Sequence, residues 1–428
     1  MTYVRLRHIV QVNPQTPAFN ELADEVEITF LPMEAVWPGG RVDISQQKSK
    51  SEVSNGYTRF QNGDVLVPKI TPTFEAARSV LINGLHNGVG AGTTELHVLR
   101  PGREIDGRFL LYLTNTHDFL ERGKSEMYGV AGQKRVPDTF IKDFCVKLPS
   151  LDSQRRIADF LDAETARIDQ LIRLRRRQVD IVNERYHSAI SELTTPGISS
   201  DLERHTVWPW LPARIPIVRL GHLAKIQTGV TVHGSREQVY GGKSYPYLRV
   251  ANVQGEQLDL SDIKEIVLPA SMALRSTLQP GDVVMTEANG NPDNLGRGAV
   301  WRGEVPKMLH QNHIFAIRAD RQALLPEYLS ALLASNHGRR YFRHTSTQVG
   351  IATTSSSKVL NFPIPKIDID QQREVVKRYH AERTRTQRTT EALEQQLKLL
   401  EERRRALITA AVTGQFDVST ASGRGVTE

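Results

Sequence analysis

The sequence predicts an α+β fold built as an internal tandem repeat. Two similar α+β domains are separated by two long helices that form an antiparallel coiled coil. Three observations predict this: short motifs return in the same order about 215 residues later, two stretches of more than about 40 residues lack Gly and Pro, and both stretches carry a heptad seam.

The repeat comes first. Val4-Arg5-Leu6-Arg7-His8-Ile9 returns as Val218-Arg219-Leu220-Gly221-His222-Leu223, and Gln61-Asn62-Gly63-Asp64-Val65 as Gln279-Pro280-Gly281-Asp282-Val283. Val98-Leu99-Arg100 returns as Ala316-Ile317-Arg318, and Leu148-Pro149-Ser150-Leu151-Asp152 as Ile364-Pro365-Lys366-Ile367-Asp368. Glu184-Arg185 returns as Glu402-Arg403. Five weak matches at nearly one offset make the chain two copies of one unit, laid head to tail.

The first part of each unit is rich in Gly and Pro and reads as a compact α+β domain. Gly63–Pro68 and Gly281–Met285 each read as a turn and a short strand, Glu95–Leu99 and His313–Ile317 as further strands. Leu110–Leu120 and Tyr328–Arg340 read as single short helices. The expected divisions are a first domain over 1–148, a helix over 149–198, a linker and second domain over 199–364, a second helix over 365–416 and a flexible tail over 417–428.

Ser153–Thr195 and Asp370–Thr413 contain neither Gly nor Pro and predict helices of roughly 65 Å at about 1.5 Å per residue. Pro149/Asp152 and Pro365/Asp368 suit their starts; Pro196-Gly197 and Gly414 close them. The first seam runs Leu161, Thr165, Ile168, Ile172, Arg175, Val179, Val182, Tyr186, Ala189, Leu193. The second runs Tyr379, Arg383, Thr386, Thr390, Leu393, Leu397, Leu400, Arg404, Leu407, Ala411. Isolated helices of this kind need a partner to bury such stripes, and each other is the nearest one. The alternative is that each packs on its own domain.

Composition removes several function classes. With 39% hydrophobic and 24% charged residues, the chain has enough apolar material for more than one core, which excludes wholesale disorder. No apolar run approaches the roughly 20 residues of a membrane span, and Arg5, Arg7 and His8 stand where a signal peptide needs an apolar region, so a cytoplasmic location is expected. The single cysteine, Cys145, excludes an internal disulfide and reads as a small buried residue. A net charge of +7 is compatible with a nucleic-acid partner but modest for 428 residues.

Catalytic patterns fail one by one. Gly242-Lys243-Ser244 lacks the earlier glycine of a phosphate loop, Glu237 standing there. Gly88-Val89-Gly90-Ala91-Gly92 is followed by a strand rather than by a phosphate-holding helix, and reads as a flexible hairpin loop. Asn291-Pro292-Asp293 misses the tetrapeptide of a base methyltransferase, and Pro137-Asp138 has no following nuclease carboxylate–lysine pair. His310 and His313 lack a third metal ligand and read as hydrogen-bonding surface residues at a strand edge. Neither a metal nor a catalytic group is assigned. Two small domains held apart by helices suit a long ligand, and duplex DNA, with half-sites one turn or about 34–36 Å apart, is such a ligand.

The chain also resembles the DNA-specificity subunits of type I restriction–modification systems. The carriers are Leu148-Pro149-Ser150-Leu151-Asp152-Ser153-Gln154-Arg155-Arg156-Ile157-Ala158-Asp159-Phe160-Leu161 with Ile168-Asp169-Gln170-Leu171. Tyr247-Leu248-Arg249-Val250-Ala251-Asn252-Val253, Leu258-Asp259-Leu260 and Leu407–Gly414 carry it further. The first domain departs, with Ala35 of Phe30–Val36 at the place of Asn252. The resemblance implies a non-catalytic subunit that reads an asymmetric bipartite target in double-stranded DNA, one domain per half-site, with the helices setting the gap. It implies two methyltransferase subunits carrying S-adenosylmethionine, which flip and methylate adenine, and motor–nuclease restriction subunits using ATP and magnesium. No cofactor belongs to this chain itself, and no membrane is involved. A divergent nuclease or methyltransferase, and a coiled-coil adaptor without DNA, are the competing readings.

Base reading needs Arg or Lys for guanine and Asn or Gln for adenine. Candidates in the first domain are Lys69, Arg78, Asn87, Thr93, Thr94, Gln133, Lys134 and Arg135. In the second they are Asn289, Asn291, Arg297, Gln311, Asn312, Gln348, Thr353, Thr354, Ser355 and Lys358. Arg173, Arg175, Arg176 and Arg177 form a basic run in the middle of the first helix that suits DNA phosphates over the gap, a solvated face or a partner salt bridge.

Overall fold

Two uninterrupted helices, Leu151–Thr194 and Ile369–Thr413, are 44 and 45 residues long, as the two Gly- and Pro-free stretches predict. The computed structural model describes residues 2–130, 132–200, 203–232, 242–349 and 351–418. By internal contacts the chain forms two units, Met1–Arg176 with Gln395–Glu428, and Arg177–Glu394. Each combines a globular part with a portion of each long helix.

In the first unit, an antiparallel sheet orders Val10–Val12, Leu96–Pro101, Val65–Pro68 and Val80–Leu81. A second sheet orders Gln47–Ser49, Glu27–Leu31, Val89–Gly92 and Thr58–Gln61. The first sheet packs on helices and joins a core of Leu6, Val65, Val67, Leu99, Phe109, Leu110, Phe119 and Phe140. Ile157, Ala158, Leu161, Ile408, Ala411 and Val412 of the long helices complete that core. The helix portions run antiparallel within this unit: Arg404 Nε donates to Asp169 at 3.0 Å, and Arg176 Nη2 to Glu401 at 3.2 Å.

The second unit repeats the plan. Its main sheet orders Ala224–Thr228, Ile314–Ala319, Val283–Thr286 and Gly298–Val300, the same succession as in the first unit. The terminal pairing repeats too, Thr2–Arg5 with Cys145–Leu148 and Ile217–Arg219 with Pro363–Pro365. Gly63 and Gly281 occupy the same turn with φ of 87° and 94°, the left-handed region that favours glycine. That is why Gly-Asp recurs there.

Several expectations are corrected. Leu110–Leu120 is not one helix but parts of two, Gly107–Leu113 and His117–Ser125; Tyr328–Arg340 likewise divides into Pro326–Ala334 and Asn336–Thr345. The breaks fall at Thr116 and Ser335, whose hydroxyls accept from backbone N–H groups and start a new helix. The glycine run at Gly88–Gly92 is no flexible loop. Val89–Gly92 is a buried inner strand, parallel to Glu27–Leu31 and antiparallel to Thr58–Gln61. A β-carbon on Gly90 would come within 2.4 Å of the Phe60 ring, and one on Gly92 within 2.4 Å of the Leu31 carbonyl. The glycines serve close strand packing.

Cys145 is exposed, because strand alternation turns Val146 inward instead. His310 is fully buried, its ring nitrogens 3.1 and 3.2 Å from the carbonyls of Ser276 and Gln227, and burial pushes its pKa below the ordinary histidine value. The first long helix is capped by Ser150, which accepts from Ser153 N, with Asp152 inside the first turn; Asp368 caps the second as expected.

Candidate nucleic-acid interface

The strand after each Gly-Asp turn ends in a loop that meets the start of the neighbouring strand. In the first unit Lys69 N donates to Glu95 O at 2.8 Å, and Val136 N to Lys69 O at 2.8 Å. In the second unit, at an offset of about 218, Glu287 N donates to His313 O at 2.9 Å and Thr354 N to Glu287 O at 2.9 Å. The same register continues outward, with Ile70 bridging Arg135 and Ala288 paired with Thr353.

These junctions collect many of the residues selected from sequence. Lys69 Nζ donates to Thr94 O at 2.8 Å, and burial holds its pKa below the ordinary lysine value. Arg135 grips Glu95 with Nε at 2.9 Å and Nη2 at 2.6 Å. That guanidinium holds the Glu95 carboxyl below the usual range. Lys134 N donates to Thr71 Oγ1 at 3.2 Å, and Gln133, Lys134 and Thr94 side chains are exposed. Thr93 Oγ1 accepts from Glu95 N at 3.2 Å, which ties it to the turn.

Around the second junction, Asn289 lies opposite Ala352, and Gln348 sits on the strand Thr347–Val349, its side chain outside the described residues. Lys358 Nζ donates to Thr347 Oγ1 at 3.1 Å. Gln311 and Asn312 are half-buried and lead directly into His313, whose Nδ1 lies 3.0 Å from Glu287 Oε2. Thr353 is half-buried; Thr354 is buried, and its hydroxyl lacks a hydrogen-bond partner among the described residues. Ser355 accepts from Lys358 N and caps the helix Ser356–Leu360.

The other candidates make contacts of their own. Asn87 has φ 55° and donates to Glu27 O at 3.0 Å, a role in the turn. Arg78 Nη1 reaches Val36 O at 3.4 Å. Asn291 N donates to Asn289 Oδ1 at 2.9 Å, and Asn291 is exposed. Arg297 is half-buried and lies 3.8 Å from the position a Gly255 β-carbon would take.

On the helices, Leu161, Ile168, Ile172 and Tyr186 are buried, and Val179, Val182, Leu193, Leu393, Leu397, Leu400 and Leu407 are half-buried. Sequence reasoning missed the polar devices that lock each globular part to its helix. Gln154 accepts from Asp106 N at 2.8 Å and donates to Glu104 O and Pro149 O, each at 2.9 Å. Gln372 accepts from Leu325 N at 2.8 Å and donates to Ala323 O at 2.9 Å and Ile367 O at 3.2 Å. It also missed Glu256, whose carboxylate accepts from the hydroxyls of Tyr186 at 2.7 Å and Tyr379 at 2.9 Å. The glutamines were legible as another pair at the repeat offset; Glu256 left no signal.

Asp64 and Arg100 form a pair that recurs as Asp282 and Arg318. Each carboxylate is 0 to 1% exposed and receives both Nε and Nη2 of its arginine between 2.7 and 2.9 Å. Among the described residues no three His, Cys, Asp or Glu side chains gather as a metal site requires, and no helix is long and apolar enough to cross a membrane.

Comparison with known proteins bears out the resemblance. No protein-family model matches the chain. It is 41% identical over 159 residues to the specificity subunit of the type I restriction enzyme EcoAI of Escherichia coli, spanning 36% of this chain and 26% of that protein. It is 35% identical over 204 residues to the EcoEI specificity subunit of Escherichia coli, spanning 47% of this chain and 34% of that protein. The matched stretches thus make up only about a quarter to a third of those relatives. A chain from a solved type I restriction–modification assembly shares the fold, with a TM-score of 0.72 at 18% identity over 97% of this chain and 98% of that one.

Proposed function

We propose that this chain is the DNA-specificity subunit of a type I restriction–modification system. It selects an asymmetric, gapped sequence in duplex DNA and has no catalytic activity of its own. The observation that carries this reading is the duplication: one backbone framework is present twice, with unlike polar side chains on its junction loops. A reader needs a constant scaffold and variable contacts. Two diverged copies suit two different half-sites.

The domain over 1–148 reads one half-site and that over 199–364 the other, through side chains from the candidates around the two junctions. The helices over 149–198 and 365–416 set the gap and offer the docking surface for two methyltransferase subunits. Those subunits supply S-adenosylmethionine and base flipping; restriction subunits supply ATP- and magnesium-dependent movement and cleavage. Arg176 pairs with Glu401 across the two helices and stays exposed.

Genome-wide adenine methylation, mapped by single-molecule sequencing with and without this gene, tests the proposal. Loss of one asymmetric, gapped methylated motif is the expected result. An unchanged methylome in a cell that expresses the chain together with its methyltransferase partner contradicts it, and cutting or methylation by the purified chain alone establishes the enzyme reading instead.

A further inference from the structure

The two junctions are superimposable in backbone bonding yet inverted in charge, and this locates the residues that make the two half-sites different. Three positions on the shared frame point the contrast. They hold Lys69, Glu95 and Arg135 in the first unit, and Glu287, His313 and Thr353 in the second, related by an offset of about 218. The backbone bonds joining them are the same in both, from residue 69 or 287 to residue 95 or 313, and from residue 136 or 354 back again.

Elsewhere on this frame the copies agree. The buried pairs Asp64–Arg100 and Asp282–Arg318 have the same atoms bonded, and the carboxylates are shut away from solvent. The junction pairs are open. Arg135 and Glu95 side chains are 42% and 25% exposed, and those of His313 and Glu287 are 55% and 31% exposed. A polar group kept the same and buried maintains the fold; one changed in sign and open to solvent is available to a ligand.

The chemistry differs accordingly. In the first unit Glu95 holds one edge of the Arg135 guanidinium, beside the Lys69 ammonium tied to Thr94 O. This presents cationic donors, which match the N7 and O6 acceptors of guanine. In the second unit these three positions hold no lysine or arginine: the Glu287 carboxylate stands beside His313 with Thr353 in place of the arginine, and the nearby Lys358 ammonium is tied to Thr347 Oγ1 at 3.1 Å. A carboxylate accepts from an amino group, as on cytosine N4, and repels the acceptor edge of guanine.

We propose that Lys69–Glu95–Arg135 and Glu287–His313–Thr353 are matched specificity triads. The first selects a guanine in one half-site; the second selects an amino-bearing base, cytosine foremost, in the other. Glu95, Glu287 and His313 thereby join the specificity-determining residues. This rests on the DNA-specificity reading above.

The test maps adenine methylation in cells carrying the intact system with the wild-type chain, Arg135→Gln or Glu287→Gln. Arg135→Gln relaxes one guanine position in one half-site, and Glu287→Gln relaxes one position in the other, with the second half-site and the gap unchanged in each case. For variants that methylate weakly, the purified complex with its methyltransferase subunits is titrated with the original DNA and with DNA altered at that position. The ratio of the two affinities falls by about tenfold or more. That ratio is independent of how much protein is folded.

A motif retained in full with affinity lowered equally on both DNAs assigns the triads to structure or phosphate binding and overturns the proposal. So does a variant that changes both half-sites. If the wild-type chain produces no gapped motif, the specificity reading itself fails, which is a separate outcome.

Discussion

Replacing Asp64 by alanine removes the acceptor of three bonds, from Arg100 Nε at 2.8 Å, Arg100 Nη2 at 2.9 Å and Gln61 N at 2.9 Å. The carboxylate is 0% and its arginine 18% exposed, so the change leaves a partly desolvated guanidinium and an unpaired backbone N–H. Breaking a buried pair in this way costs about 3–5 kcal/mol. Arg100 keeps the carbonyl of Gln15 at 2.9 Å and the hydroxyl of Thr16 at 3.4 Å, which places the expected loss at the lower end, about 3 kcal/mol. Urea unfolding of the full chain, followed by hydrogen exchange in Val65–Pro68 and Leu96–Pro101, measures it. The double variant Asp64→Ala/Arg100→Ala is more stable than the sum of the two single losses predicts, by about 1–2 kcal/mol. Asp282→Ala behaves alike in the second unit. A loss below about 1 kcal/mol for Asp64→Ala, or strict additivity in the double variant, refutes the role given to this pair.

Gln372→Leu leaves Leu325 N and two carbonyls without their side-chain partner and costs about 2–4 kcal/mol in thermal unfolding, whereas Glu374→Gln, at an exposed position two residues on, costs under about 1 kcal/mol. Burial lowers His97 and His337 to about 4 from an ordinary value of 6.5. The unfolded chain therefore takes up protons between those values while the folded chain does not, so stability is full above pH 6.5 and lost as pH falls toward 4. Each histidine contributes about 3 kcal/mol to that loss, and His97→Gln flattens the acid limb of a stability–pH curve. Removing one heptad from each long helix shortens the tolerated gap between half-sites by about 3 base pairs, roughly 10 Å, with both half-sites unchanged; a changed half-site contradicts the spacer role. Cys145, being exposed, reacts with a thiol reagent in the native chain, and protection until denaturation contradicts its placement.

The long-range order of this chain was legible because duplication writes the same physical requirement twice. The Gly-Asp turns and the absence of helix breakers each name a local constraint, and each constraint is met. Single residues in loops were harder to read. Asn87 and Ser355 stand among the base readers that the sequence suggests, and in the structure one also stabilises a left-handed turn and the other caps a helix, roles that Asn and Ser side chains share with recognition. Glycine misled in the opposite direction: at Gly90 and Gly92 it marks a crowded strand, which depends on Phe60 and Leu31, residues distant in sequence. Glu95 and Glu287 escaped notice, and His313 reads from sequence only as a metal ligand or a hydrogen-bonding residue, because a search for donors to guanine and adenine passes over carboxylates and imidazole. Their meaning emerges only when the two junctions are compared.

Under the proposed function a single chain reads two unlike sequences at a fixed separation. The direct test is selection from a pool of random duplexes by the purified complex of this chain with its methyltransferase subunits, followed by sequencing of the bound fraction. Two different short blocks separated by a gap of constant length are predicted. One block alone, two identical blocks in inverted order, or a gap of variable length contradicts it.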